Sequence, residues 1–91
     1  MLSIQFSNDV VKFVKSLETK PAKQIYDKVV SLGLDPRPQN STPLVAYKGL
    51  RRLRVGDFRI IYAIDNEQIK VVLVDARGDD EVYRSLDRLM A

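Results

Sequence analysis

The sequence contains no cysteine and no histidine. Without cysteine the chain has no disulfide bond, no thiolate nucleophile and no zinc site built on cysteine. Without histidine it lacks both the commonest metal ligand and the commonest general acid or base of enzymes. These two absences constrain the possible mechanism more than any other feature of the composition. We expect no metal site and no small-molecule cofactor.

Long apolar runs are also missing, because no stretch approaches the roughly 18 to 20 residues that a membrane span needs. The N-terminus carries Gln5, Asn8 and Asp9, where a signal peptide would be basic and then apolar. We therefore expect a cytoplasmic protein with no membrane partner. A chain of 91 residues, 45% hydrophobic and 30% charged, suffices for one modest core and not for two. We expect a single domain over residues 1–91.

Positive charge is concentrated in the middle of the chain. From Tyr47 to Arg59 there are five basic residues and one acidic residue, whereas three basic and five acidic residues follow from Asp75 to Ala91. A nucleic-acid backbone is the natural partner of such a basic segment. The alternative is a solvated strand face neutralised by counterions, so charge alone leaves the partner open.

The N-terminal half is predicted to contain one strand and two helices. Apolar residues alternate with polar ones over residues 2–6, which indicates a short half-buried strand. Ser7 is a helix-start signal for a first helix that runs to about Leu17, and Thr19 opens a second helix that Gly33 closes. The apolar face of this second helix is formed by Ile25, Tyr26, Val29 and Leu32.

The C-terminal half is predicted to be mainly sheet. Residues 35–43 hold three of the four prolines and are predicted to form an irregular loop. The following pattern predicts strands over residues 50–55, 58–64 and 69–76, with turns at residues 56–57 and 65–68, and a short helix over residues 81–90. The expected fold is α+β, with an N-terminal strand, two helices packed on an antiparallel sheet meander of about four strands, and a short C-terminal helix.

Several arginines should meet on the hairpin of residues 51–62. Arg52 and Arg54 share one strand face, and a tight turn could bring Arg59 alongside them. A phosphodiester fits such a cluster, because guanidinium groups match phosphate geometry with two parallel hydrogen bonds. The alternative is ion pairing across the ribbon between Arg51 or Arg54 and the carboxylates of Asp57, Asp65 and Glu67.

Two motifs resemble those of the RelE branch of the RelE/ParE toxin superfamily: KGLRRLRVGDFRIIYAID, at residues 48–65, and DARGDDEVYRSL, at residues 75–86. The order of predicted elements also fits this family, so the resemblance covers nearly the whole chain. Such members are the toxins of type II toxin–antitoxin systems, and they cut messenger RNA in the ribosomal A site. The resemblance implies a RelE-like fold, a metal-independent endoribonuclease (mRNA interferase), and as partners a cognate antitoxin and the ribosome with its mRNA.

The resemblance also assigns roles to individual residues. Arg59 would contact the scissile phosphate, and Tyr83 would stack on a base and take part in proton transfer. Arg77 matches an arginine that lies six residues before this tyrosine in the family. Lys48 and Arg52 lie where family members carry basic side chains that line the same groove. We therefore predict Arg52, Arg59, Arg77 and Tyr83 as catalytic residues, and Lys48, Arg51 and Arg54 as RNA-binding residues.

The chain departs from the family pattern at two places. The best-known members carry two lysines where this chain has Leu50 and Arg52. Many relatives also have a histidine and further basic residues before the tyrosine, where residues 78–81 read GDDE. Because a guanidinium stays protonated, arginine can stabilise negative charge but cannot remove a proton. The candidates for proton removal are Tyr83, Lys48 and a carboxylate such as Glu81.

Other readings of the same residues stay open. The chain could be a ParE-like toxin that inhibits DNA gyrase and cuts no RNA, although such chains usually lack the combination of Arg59, Arg77 and Tyr83. It could also be a catalytically weak member that only binds nucleic acid. Tyr83 suits a packing role as well as a functional one, whereas Phe58 and Tyr62 are predicted to pack.

Overall fold

A computed structural model describes residues 1–76 and 78–90, without the side chains of Asp79, Asp80 and Met90. Within these residues the elements are β1 Ser3–Phe6, α1 Asn8–Lys15, α2 Thr19–Ser31, β2 Ser41–Pro43, β3 Leu50–Val55, β4 Phe58–Asp65, β5 Gln68–Asp75 and α3 Asp79–Met90. None of the described helices combines the length and the apolar character that a bilayer crossing requires.

The described strands form one sheet in the order β1-β5-β4-β3-β2. Strands β2 to β5 are antiparallel neighbours and form the predicted meander. Strand β1 pairs in parallel with β5, so the first strand of the chain lies beside the last. The predicted α+β fold is confirmed, and the sheet is mixed because β1 joins it at one edge.

Helices cover both faces of the sheet. Because side chains alternate along a strand, consecutive residues of one strand point to opposite faces and belong to different apolar clusters. The cluster that includes α1 and α2 is formed by Val10, Ile25, Val29, Leu32, Leu53, Val55, Ile60, Tyr62, Ile69, Val71 and Val74. The cluster beneath α3 is formed by Leu44, Leu50, Ile61, Val82 and Leu86. The buried cluster on the α3 side of the sheet is therefore smaller than the one on the α1–α2 side.

Helix α1 starts where the sequence predicts. The hydroxyl of Ser7 accepts a hydrogen bond from the backbone N–H of Val10 at 3.2 Å, which satisfies one of the free donors at the helix start. The helix ends at Lys15, before the predicted end at Leu17. Leu17 nevertheless packs against the apolar cluster of α1 and α2. It continues the apolar pattern because its side chain is partly buried, although the helix itself has already ended.

The predicted apolar face of α2 is wrong at one position. Tyr26 is 56% exposed, whereas Ile25 and Val29 are buried. Residues at i and i+4 share a helix face, so these two side chains define the buried side and leave Tyr26 beside it. The ring of Tyr26 stacks on that of Phe6, with centroids 6.4 Å apart, and thereby covers the end of β1.

The loop predicted over residues 35–43 ends in a strand that the sequence pattern does not show. Ser41 and Pro43 of β2 stand opposite Leu53 and Arg51 of β3. A strand of three residues is too short to display a period of two, and proline is tolerated because β2 lies at the sheet edge. The side chain of Tyr62 fixes the rest of the loop, since its hydroxyl donates to the carbonyl oxygen of Pro36 at 2.7 Å.

Gly33 is needed for a different reason from the one the sequence suggests. The C-cap of α2 is Leu32, with right-handed backbone angles, and Gly33 does not have the positive φ that a left-handed cap requires. Instead, a Cβ at this position would lie 2.9 Å from the carbonyl oxygen of Leu2. The backbone N–H of Leu2 also donates to the carbonyl oxygen of Gly33 at 2.9 Å, so the two chain segments are in direct contact.

We expect the substitution Gly33→Ala to lower the free energy of unfolding by about 1–3 kcal/mol, because the added methyl group forces apart two backbone segments. Urea unfolding followed by circular dichroism measures this change. Gly78→Ala is the control, since nothing lies within 4 Å of a Cβ there. Its effect should stay below about 1 kcal/mol, the cost of alanine at the start of α3. Equal unfolding midpoints for both variants would contradict the close-contact explanation.

Candidate functional site

The hairpin of β3 and β4 sets the register of the basic residues. Val55 and Phe58 are opposite each other, so Gly56 and Asp57 form a two-residue turn. Gly56 has a φ of 59°, and glycine adopts this left-handed angle without steric cost. Tight turns of this kind match the twist of the flanking strands. The turn thereby places Arg54 directly opposite Arg59.

Three arginines project from the same side of this hairpin. Arg52 and Arg54 alternate along β3, and Arg59 is the cross-strand neighbour of Arg54, so all three share one face. We call Arg52, Arg54 and Arg59 the arginine face. Arg52 stands opposite Ile61, which belongs to the cluster beneath α3. The arginine face therefore lies on the α3 side of the sheet, in the arrangement that the sequence predicts.

The buried carboxylate of Asp75 lies next to Arg59 on the adjacent strand. Asp75 is the β5 partner of Arg59 and is only 6% exposed. The hydroxyl of Ser85 donates to this carboxylate at 3.4 Å, which links the end of β5 to α3. On the other side of Arg59, Arg54 brings a like charge, which costs the sheet stability. A bound phosphate would offset that cost.

Arg59 is held in place by its own turn. Its Nη1 atom donates to the backbone carbonyl oxygen of Asp57 at 3.0 Å. This bond orients one edge of the guanidinium group. A guanidinium has five N–H donors, so the group keeps the capacity to bind a phosphate oxygen as well.

Arg51 lies on the opposite face of the sheet from Arg52 and Arg54. It stands opposite Tyr62, a residue of the α1–α2 cluster, and its Nη2 atom donates to the hydroxyl of Ser41 at 3.0 Å. This geometry separates Arg51 from Arg54, which was predicted with it as an RNA-binding residue. The Arg51 guanidinium instead ties β3 to β2, and its position does not support the predicted RNA-binding role.

Lys48 lies outside the regular strands. It is exposed, in the turn before β3, and its chain neighbour Tyr47 contacts α3. An exposed lysine at this position can move its ammonium group over several rotamers, unlike the arginines on the strands. Arg77 lies outside the described residues.

Helix α3 carries Tyr83 on the same side of the sheet as the arginine face. Val82 and Leu86 are almost fully buried in the cluster beneath the helix, and Tyr83 packs at its margin, half-buried. The ring of Tyr83 stacks on that of Tyr47, with centroids 6.2 Å apart and an interplanar angle of 22°. Tyr83 is thus partly a packing residue, which is one of the two roles that the sequence left open for it.

Three residues near the site escaped the sequence interpretation: Tyr47, Asp75 and Asp87. The hydroxyl of Tyr47 donates to the carboxylate of Asp87 on α3. The importance of Asp75 could have been inferred from the sequence. It directly follows a valine-rich strand that is predicted to be buried, and a buried carboxylate needs a hydrogen-bond or charge partner. Tyr47 and Asp87 carried none, since they are 40 residues apart in the chain.

Two acidic residues, one at the end of β4 and one in α3, have ion-pair partners of their own. Asp65 pairs with Lys70 at 2.9 Å, and the Glu81 carboxylate pairs with Arg84 at 3.0 Å. In the part of the chain that the structure describes, no group of three or more acidic side chains is arranged to hold a metal ion.

In the arginine face, Arg54 is exposed and Arg52 and Arg59 are partly buried. A groove of about 440 Å³ lies elsewhere, between α1, β5 and α3, with Asp75 and Ser85 at its border. Packed side chains support the arginine face from below, and its guanidinium groups stand on rigid strands. Such an arrangement can bind an extended phosphodiester backbone and stabilise negative charge that develops on it.

Residues 2–81 match the family described as "ParE toxin of type II toxin-antitoxin system, parDE". The chain belongs to this ParE toxin family. The match includes the whole arginine face and ends before Tyr83. The resemblance to the RelE/ParE superfamily is therefore confirmed. No curated protein matches the sequence of this ParE-family chain significantly.

The fold of this ParE-family chain is also that of RelE toxins. A chain of the archaeal RelE–RelB complex from Pyrococcus horikoshii is 25% identical, with a TM-score of 0.75, over 86% of this chain and 97% of that one. The isolated RelE toxin of E. coli matches with a TM-score of 0.73 at 19% identity over 100% of both chains. A chain of the YoeB–YefM complex from Staphylococcus aureus matches at 20% identity, with a TM-score of 0.69, over 86% and 99%.

Proposed function

We propose that this ParE-family chain is a ribosome-dependent endoribonuclease that cuts messenger RNA in the ribosomal A site. The observation that carries the proposal is the register of β3 and β4, which places Arg54 opposite Arg59 on the face that α3 and Tyr83 also cover. Clustered guanidinium groups beside an aromatic ring suit a phosphate and its adjoining base. The RelE-like fold supports the same conclusion.

The proposed reaction is a transfer within the RNA. The 2′-hydroxyl oxygen forms a bond to the adjacent phosphorus, and the bond from phosphorus to the 5′ oxygen breaks. The proton of the 2′-hydroxyl goes to a base, and the leaving 5′ oxygen receives a proton from an acid. Arg59 and Arg52 would stabilise the negative charge that builds up on the phosphate oxygens, so the reaction needs no metal ion.

Proton transfer in this site has three candidate groups. Tyr83 is half-buried at the edge of α3, and Lys48 is exposed in the turn before β3. Glu81 is paired with Arg84, which favours the carboxylate in its charged form and leaves it poorly placed to donate a proton. We therefore place Tyr83 in the proton-transfer or base-stacking role, with Lys48 as the alternative. Arg77 completes the proposed catalytic set.

A toxin needs a partner that silences it, and we propose a cognate antitoxin as the second binding partner. Several structurally similar chains come from complexes named RelE–RelB, RelBE and YoeB–YefM. On this chain an antitoxin helix or extended segment would cover the arginine face or displace α3. The first mode would block access of RNA to Arg59, and the second would carry Tyr83 away from the arginine face.

A second candidate function is inhibition of DNA gyrase without RNA cleavage. The matching family is the ParE toxins of parDE systems, which supports this alternative. In that case the arginine face would contact a protein. The presence of both Arg59 and Tyr83 on one side of the sheet favours the nuclease.

Toeprinting of messenger RNA on purified ribosomes distinguishes the two functions. We expect cleavage within the A-site codon when the protein is added, no cleavage of the free messenger, and suppression by the protein encoded in the adjacent reading frame. A parallel assay of DNA gyrase supercoiling should show no inhibition. Intact messenger together with blocked supercoiling would replace the nuclease with the gyrase inhibitor.

A further inference from the structure

Tyr47 lies in the segment between β2 and β3 and makes two contacts with α3. Its ring stacks on Tyr83, and its hydroxyl donates to the carboxylate of Asp87. Tyr83 and Asp87 are four positions apart on the helix, so they lie on one helix face. One side chain therefore holds two successive turns of α3.

The backbone of Tyr47 is itself fixed to the strand that carries Arg52. The N–H of Leu50 donates to the carbonyl oxygen of Tyr47 at 3.2 Å, and the N–H of Leu44 donates to that of Leu50 at 2.9 Å. Gly49, with a φ of 89°, allows the chain to turn between them. A short path of bonded residues thus connects the arginine face to the phenol of Tyr83.

The apolar contacts of α3 do not supply this directional restraint. Val82 and Leu86 bury the helix, but hydrophobic burial is not directional. A hydrogen bond and a stacked ring have preferred geometries. Catalytic groups must be held to within roughly 0.5 Å of the productive geometry. The site therefore needs a directional restraint such as a hydrogen bond or a stacked ring.

We propose that Tyr47 is a positioning residue that, through stacking on Tyr83 and its hydrogen bond to Asp87, sets the orientation of the Tyr83 phenol relative to the arginine face. The inference rests on the proposed nuclease function. Tyr47 acts through Tyr83 and Asp87 and needs no contact with RNA. Asp87 is the second positioning residue, because its carboxylate accepts the hydrogen bond from the Tyr47 hydroxyl.

Single-turnover cleavage of ribosome-bound messenger tests the proposal. Tyr47→Phe and Asp87→Ala should each lower the rate constant about tenfold, with less than about a twofold change in KM. The double variant should lose no more than either single variant, because both remove the same hydrogen bond. Asp87→Asn retains an acceptor oxygen and should recover most of the rate.

Tyr26→Phe is the matched control, since it removes a tyrosine hydroxyl from α2, on the other side of the sheet from the arginine face. Its rate should equal that of the original chain. An unchanged rate in Tyr47→Phe, or losses that add in the double variant, would overturn the positioning role.

A measurement without RNA separates this inference from the nuclease proposal. The chain has four tyrosines, so ring-labelled tyrosine gives a simple NMR spectrum in which Tyr83→Phe identifies the Tyr83 signals. Asp87→Ala leaves the Tyr83 side chain intact and is expected to shift those signals. Unmoved signals defeat the positioning proposal, whereas shifted signals in a chain that cuts no messenger uphold the restraint and defeat the nuclease.

Discussion

Replacing Arg59 with alanine should slow ribosome-dependent cleavage by about 10²- to 10³-fold, the usual loss when one donor to a developing negative charge is removed. Arg59 stands between Arg54 and Asp75 in the sheet, and its guanidinium is oriented by the carbonyl oxygen of Asp57. Single-turnover toeprinting measures the change, which should appear mainly in the rate constant and less in KM.

Lys23→Ala is a suitable control for the loss of one positive charge. Lys23 pairs with Asp27 on α2 and its side chain is 73% exposed, so the pair contributes little to stability. Cleavage by this variant should match that of the original chain. A second variant, Arg59→Lys, keeps the charge but loses the two parallel donors, and should remain well below the original rate. Full activity in Arg59→Ala would remove the basis of the nuclease proposal.

Truncating Leu86 to alanine is expected to lower the free energy of unfolding by about 2–5 kcal/mol, because it leaves a cavity between α3 and the sheet. Leu86 is fully buried and Val82 is 1% exposed, and both belong to a small cluster that also includes Leu50 and Ile61. The chain contains no tryptophan, so urea unfolding is best followed by far-ultraviolet circular dichroism.

The same substitution at Leu89 provides a control on the same helix. Leu89 is 47% exposed, so Leu89→Ala should cost less than about 1 kcal/mol. Hydrogen exchange should show faster exchange of α3 amides in Leu86→Ala than in Leu89→Ala. Equal stabilities of the two variants would mean that the cluster beneath α3 does not hold the helix.

The central part of the candidate site was predictable because it depends on local geometry. Alternation along a strand places Arg52 and Arg54 together, and a two-residue turn at Gly56 fixes the partner of Arg54 as Arg59. The same alternation puts Arg51 on the other face. The predicted RNA-binding residues Arg51 and Arg54 therefore lie on opposite faces of the sheet.

The environment of Tyr83 was not predictable in this way. Tyr47 and Asp87, which adjoin Tyr83, come from the loop before β3 and from the next turn of α3. Their meeting depends on how α3 docks on the sheet. No local period relates residues that far apart in the chain, so the sequence pattern offered no indication of the contact.

By itself the sequence determined the kinds of elements, their order, the hairpin register and the absence of histidine and cysteine chemistry, because periodicity, turn residues and composition act over a few neighbouring positions. Tertiary structure decided that β1 lies beside β5, that Ser41–Pro43 joins the sheet as β2, and that α3 covers the face carrying Arg52. These outcomes depend on which apolar surfaces bury one another, and that is a property of the whole folded chain.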